Sequence, residues 1–147
     1  MSNGSPRNFK VTQWARVPWK AFGKQRPQAR RMGKGVQLYT PEKTVTEEAY
    51  VRAVVTQQLG NPFLQGAVVV ELEIGVIIPA SYSGKKITEC LRGAIRPTKK
   101  PDVDNVVKLV LDCLNGILWR DDSQVVTLTV NKFYSLNPEI TLGVREL

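Results

Sequence analysis

The chain's five aspartates, Asp102, Asp104, Asp112, Asp121 and Asp122, all fall within 21 residues of a 147-residue sequence that contains no histidine. Without His there is no imidazole acid–base chemistry, no His-based triad and no His–metal ligation. Two cysteines, Cys90 and Cys113, are too few for a Cys-rich zinc site or a multi-disulfide scaffold. Carboxylates are therefore the candidates for chemistry. Clustered carboxylates repel one another unless a cation or neighbouring Lys and Arg side chains offset the charge. Mg²⁺ suits such a cluster, because it prefers oxygen ligands and retains several waters. One or two Mg²⁺ can activate water and neutralise a phosphodiester under attack.

Spacing divides the five. In Asp102-Val103-Asp104 an extended chain sends both carboxylates to one side. Asp104 also stands where a helix begins and can serve simply as its N-cap. Asp104, Lys108 and Asp112 share one face at helical spacing, so Asp112 reads as a solvated helix residue or a surface partner of Lys108. Asp121-Asp122 is also a common turn pair, and a lone D-x-D occurs in nucleotide-sugar transferases too. A straight helix of about 14 residues, roughly 21 Å long, would hold the two acidic pairs apart. They meet only if the chain folds back or a second subunit supplies one pair.

The elements that must position these residues follow from pattern. Met1–Phe9 reads as a flexible terminus, and residues 10–147 as the domain. Lys10–Trp19 has partial strand character. Gly23–Gly35 is a basic loop, and Gly35–Tyr39 a short returning strand. Thr44 and Glu47 have capping-box spacing before an amphipathic helix over Thr46–Leu59, which Gly60 stops. Gly66–Ile78 alternates as a strand, with Glu71 and Glu73 opposite Val68, Val70, Leu72 and Ile74. Ser83–Gly93 is a short helix. Asn105–Leu118 is a helix apolar over most of its girth, hence central. Gln124–Tyr134 is a strand, and Glu139–Val144 an edge strand in the tail. The order predicts a single small α+β domain, a mixed β-sheet packed with helices.

Net charge is +8, which favours a polyanionic partner, nucleic acid before membrane. Residues 1–43 hold ten basic side chains and one acid. Arg92, Arg96, Lys99 and Lys100 form a second basic cluster just before the first aspartates. A basic run is often only a solvated face. Here Gly, Pro and aromatic residues woven through Trp19–Tyr39 argue for an ordered loop. No apolar run approaches the ~18 residues of a membrane span. The N-terminus lacks the apolar stretch of a secretory signal, and two cysteines without a framework fit a reducing cytoplasm.

The combined string is more specific than its parts. Lys100-Pro101-Asp102-Val103-Asp104-Asn105, Lys108, Asp112, Leu114-Asn115-Gly116 and then Asp121-Asp122-Ser123-Gln124-Val125 resembles the RusA-like Holliday junction resolvases. Gly23-Lys24-Gln25-Arg26-Pro27 and Tyr39-Thr40-Pro41 resemble that family's opening segment. The likeness runs from about Val17 to Tyr134. The chain departs from the family's simpler form before Val17, and at Gln28-Ala29-Arg30-Arg31, where the family often continues with Arg directly after Pro.

The resemblance implies a homodimeric, Mg²⁺-dependent endonuclease, with Mn²⁺ able to substitute. Such enzymes bind four-way DNA junctions and nick two strands symmetrically, leaving 5′-phosphates. By motif position it implies Asp102, Asp104 and Asp122 as metal-binding aspartates, Lys108 as the catalytic lysine and Asp121 as a possible further ligand. Lys24, Arg26, Arg30, Arg31, Lys99 and Lys100 are then the expected phosphate contacts. A bacterial or phage cytoplasm is the expected location. Two rivals stand beside this reading. One is an endonuclease of broader branched-DNA or flap specificity. The other is a non-catalytic basic DNA-binding protein whose aspartates are caps and salt-bridge partners.

Overall fold

The longest apolar alternation in the chain sits inside a four-stranded sheet. In the computed structural model, which describes residues 11–18, 28–33, 35–39 and 42–147, strand β4 (Val68–Ile77) has Val68, Val70, Leu72 and Ile74 fully buried. Glu71 and Glu73 lie half-buried on its other face. β4 pairs in parallel with β5 (Val125–Ser135) and antiparallel with β6 (Glu139–Glu146). β6 pairs antiparallel with β1 (Gln13–Pro18), giving the mixed order β1-β6-β4-β5.

One face of this sheet is covered by α1 (Glu42–Leu59) and α3 (Val103–Cys113). Val51 and Val55 of α1 and Val106, Leu109 and Val110 of α3 join the even-numbered side chains of β4 and β6 in one core. α1 is tied to β1 by Gln58, whose side chain donates to the Arg16 carbonyl at 2.6 Å and accepts from the Arg16 N–H at 2.8 Å. α2 (Gly84–Leu91), capped by Ser83, lies on the other side. There Cys90 shares a cleft with Glu73, Asn131 and Phe133. The result is a single small α+β domain, as the sequence pattern predicts. Among the described residues, no helix is long and apolar enough to cross a membrane.

Several boundaries differ from expectation. The basic stretch expected to be a loop contains β2 (Gln28–Met32), which pairs antiparallel with β3 (Gly35–Tyr39) as a separate hairpin. Its sequence, Gln-Ala-Arg-Arg-Met, has no apolar alternation, so periodicity could not reveal it. Gly33, at φ +60°, supplies the backbone conformation that the turn requires. α1 begins at Glu42, which places Thr44 inside the helix instead of at its cap. β6 is an interior strand, not an edge: Ile140, Leu142 and Val144 are buried between β1 and β4. A side chain at Gly143 would run into Val11 and Trp14, so the close approach of the β1 segment depends on that glycine. α3 spans 103–113, starting two residues earlier and ending five earlier than its apolar pattern suggests. Residues 1–10, and with them the expected flexible terminus, lie outside the described residues.

Candidate active site

α3 sets up one side of the site. Asp102 is its N-cap residue by backbone conformation (φ −74°, ψ 137°), but its side chain makes no capping hydrogen bond. The helix therefore starts inside the D-x-D pair, which removes the expected extended arrangement with both carboxylates on one side. Asp104 lies in the first turn. Lys108 and Asp112 follow on the same face at successive i,i+4 steps. Asp104 and Asp112 are then about 12 Å apart along the axis, at 1.5 Å per residue.

The chain does fold back, and the Leu-Asn-Gly motif is how. Helical hydrogen bonding stops at Leu114. Gly116 takes φ +81°, and its N–H donates to the Trp119 carbonyl at 2.7 Å. The Asn115 side-chain carbonyl accepts from the indole of Trp119 at 2.8 Å, and Trp119 is completely buried. This turn returns the chain beside the last turn of α3.

Gln124 then fixes the aspartate pair. Its side-chain oxygen accepts from the N–H groups of Arg120 (2.8 Å) and Asp121 (3.0 Å). Its side-chain amide donates to the carbonyls of Leu64 (2.8 Å) and Gly66 (3.0 Å). Asp121 caps the 3₁₀ turn Asp122–Gln124 by accepting from the Ser123 N–H at 3.0 Å. That bonding holds its carboxyl below the ordinary carboxylate range. Asp122 instead lines the groove beside Asp112. Partial burial, then the side-chain contact with Asp112 and the charges of Asp112 and Asp121, raise its affinity for a proton.

Asp104, Lys108, Asp112 and Asp122 thus line a single groove of about 780 Å³ between α3 and β5. Its apolar wall comes from Val103, Val107 and Leu111 on the helix and from Leu128 and Val130 on the strand. Lys108 is exposed, stands between the two ends of the groove and makes no ion pair among the described residues. The expectation that Asp112 is its surface partner is thereby corrected: Asp112 faces Asp122.

Asp102 is exposed and is not part of the groove lining, and Asp121 is occupied as a cap. Lys99 and Lys100 are exposed on the segment leading into α3. Arg30 and Arg31 occupy β2, opposite Gln37 and Val36, while Lys24 and Arg26 lie outside the described residues. Among the described residues, no three Asp, Glu, Cys or His side chains converge closely enough to hold a metal ion. The Asp112–Asp122 pair nonetheless has the donor chemistry of a hard cation. Two carboxyl groups meet there, and oxygen ligands of this kind suit a divalent ion whose remaining positions water can fill.

Sequence reasoning did not place Asp112 beside Asp122, because helical spacing alone offers Lys108 as its partner. It gave Gln124 no role, although the Gln of D-D-x-Q-V was part of the quoted motif. Lys132 carried no signal at all. Its ammonium donates to the carbonyls of Lys99 (2.8 Å) and Pro101 (2.9 Å).

A small mixed α+β fold with acidic side chains converging on a groove beside basic segments is the layout of an enzyme acting on a polyanion. The family model for the endodeoxyribonuclease RusA matches residues 18–145. The chain belongs to the RusA endodeoxyribonuclease family, enzymes that act on branched DNA with a divalent metal. It is also 40% identical over 119 residues to the uncharacterized protein YqaN of Bacillus subtilis (strain 168), covering 80% of this chain and 83% of that protein. Family membership sets aside the non-catalytic DNA-binding alternative.

Proposed function

We propose that this endodeoxyribonuclease resolves four-way DNA junctions by paired symmetric nicks that leave 5′-phosphates, using Mg²⁺, with Mn²⁺ as a substitute. The observation that carries this reading is the single groove that gathers Asp104, Lys108, Asp112 and Asp122 from two elements distant in sequence. A bound divalent ion supplies water activation and charge neutralisation at the phosphodiester. Asp112 and Asp122 would hold it, with Asp104 at the other end of the groove and Asp102 and Asp121 bordering the site. Lys108 presents its ammonium to the groove and offsets charge developing on the phosphate.

Lys99 and Lys100, with Lys24, Arg26, Arg30 and Arg31, hold the DNA backbone. Binding of this kind weakens steeply with salt. The chain acts as a homodimer, because a junction is nearly two-fold symmetric and needs two related cuts. A location in a bacterial or phage-infected cytoplasm belongs to the same reading.

The test is a synthetic four-way junction incubated with Mg²⁺, beside Y-forks and linear duplex. Cleavage of the junction in paired positions by the wild type, lost in Asp104→Asn, is expected. Equal cutting of forks would shift the reading to broader branched-DNA specificity. A wild type as inert as Asp104→Asn would end it.

A further inference from the structure

α2 and α3 lie on opposite faces of the sheet, and the segment joining them, residues 92–102, meets β5 at its outer edge. Among the described residues that edge has no neighbouring strand. An open strand edge leaves backbone groups to be satisfied by something else. At Lys132 the passing segment provides it: the Arg96 guanidinium Nε donates to the Lys132 carbonyl at 2.9 Å. The Lys132 side chain returns the contact. Its ammonium, half-buried, donates to the carbonyls of Lys99 and Pro101 on the two sides of Lys100.

We propose that Lys132 is a positioning residue that latches the basic segment across the edge of β5 and so sets where the first turn of α3 stands relative to Asp122. This rests on the nuclease reading of the groove. Three features carry it. The carbonyl of Pro101 immediately precedes Asp102, the N-cap of α3, so holding it holds the start of the helix that bears Asp104. Lys132 lies on the strand that begins directly after the Asp122–Gln124 turn, so both halves of the site are referred to one rigid element. At alternating strand positions it shares a face with Leu128 and Val130, which line the groove.

The choice of side chain is informative as well. A third cation beside exposed Lys99 and Lys100 adds repulsion in a chain of net charge +8. An ammonium brings three donors, two of which are used here, and it can serve two carbonyls that a hydroxyl would serve one at a time. The latch engages the carbonyls of Lys99 and Pro101, while the side chains of Lys99 and Lys100 stay exposed.

The experiment compares the full-length wild type with Lys132→Met and Lys132→Arg. Amide hydrogen exchange over residues 96–104 and tryptic cleavage between Lys99 and Lys100 report the latch without any metal or DNA. Junction affinity measured with Ca²⁺ in place of Mg²⁺, and turnover at saturating junction, report its consequence. Lys132→Met is expected to speed exchange and tryptic cleavage in that segment and to lower turnover on the order of tenfold or more, as small misplacement does. Affinity should stay within about twofold, with the salt slope unchanged. Lys132→Arg, which keeps several donors, should recover most of the protection and turnover. Unchanged exchange over 96–104 in Lys132→Met would overturn the latch. So would loss of affinity with turnover retained, which would make Lys132 a phosphate contact. If the wild type cleaves no junction, the nuclease reading falls, and the exchange and proteolysis results still decide the latch.

Discussion

Gln124 offers the sharpest test of how Asp122 is placed. Its side chain makes four hydrogen bonds: two accepted from Arg120 and Asp121, two donated to Leu64 and Gly66. Gln124→Leu keeps the volume and removes all four. Each such bond contributes about 0.5–1.5 kcal/mol net, and for a half-buried group the lower part of that range applies, so the loss is about 2–4 kcal/mol. At roughly 3 °C per kcal/mol for a domain of this size, the melting temperature should fall by about 6–12 °C. Differential scanning calorimetry measures that directly. Gln124→Glu retains the two accepted bonds but sets a carboxylate oxygen against two carbonyls, so it should also melt early. Cleavage assayed well below both melting points should fall further than any unfolded fraction explains, because the turn bearing Asp122 is no longer fixed against the 64–66 segment. A Leu variant that melts within about 2 °C of wild type and cleaves normally would refute the clamp, since four well-made bonds cannot be removed at no cost.

Asp112→Ala and Asp121→Ala should separate the two neighbours of Asp122. The first should lower turnover on the order of a hundredfold or more without lowering the melting temperature. The second should lower the melting temperature, because the cap of the 3₁₀ turn is lost, with a far smaller effect on turnover; the reverse pattern in a side-by-side melt and junction assay would reject the assignment. Lys99→Ala and Lys100→Ala should each reduce the slope of log affinity against log salt by about 0.9, read from filter binding at several salt concentrations. Cys90 and Cys113 are both buried, and burial pushes the Cys113 thiol up to about 12. Neither should react with a thiol reagent at neutral pH until the protein is unfolded, when both should; prompt native labelling of either would contradict the packing.

What the residues revealed in advance was the sheet and the helices wherever one face is buried. β4 could be read from its alternation, and α3 from its continuous apolar girth. β2 could not, because Gln-Ala-Arg-Arg-Met shows no apolar alternation, and its pairing with β3 forms a separate two-stranded sheet. β6 was legible as a strand but not as an interior one. Its position follows from the tertiary pairing of β1 with the tail, which local pattern does not encode. For the groove, helical spacing put Asp104, Lys108 and Asp112 on one face. The return of Asp122 depended on where α3 ends, and apolar residues continuing through Ile117 and Leu118 concealed that end. Those residues are buried, but in a turn organised by Gly116 and the Asn115–Trp119 bond.

The division of labour among the aspartates follows from that turn. A carboxylate in a loop of this kind either caps the backbone or faces outward, and Asp121 and Asp122 take one role each. Because Asp121 satisfies the Ser123 N–H, the turn closes without help from Asp122. Asp122 meets Asp112 in the groove, and the proximity of the two groups raises the affinity of Asp122 for a proton. Their contact is retained at the end of a groove that also holds Lys108 and Asp104, beside a segment carrying Lys99 and Lys100. The local electrostatic cost is placed where a divalent cation and a phosphodiester would offset it. Adding Mg²⁺ to the DNA-free protein should therefore raise its melting temperature, and Asp112→Asn should diminish that shift. A wild type whose melting is indifferent to millimolar Mg²⁺ would show that the pair persists for another reason.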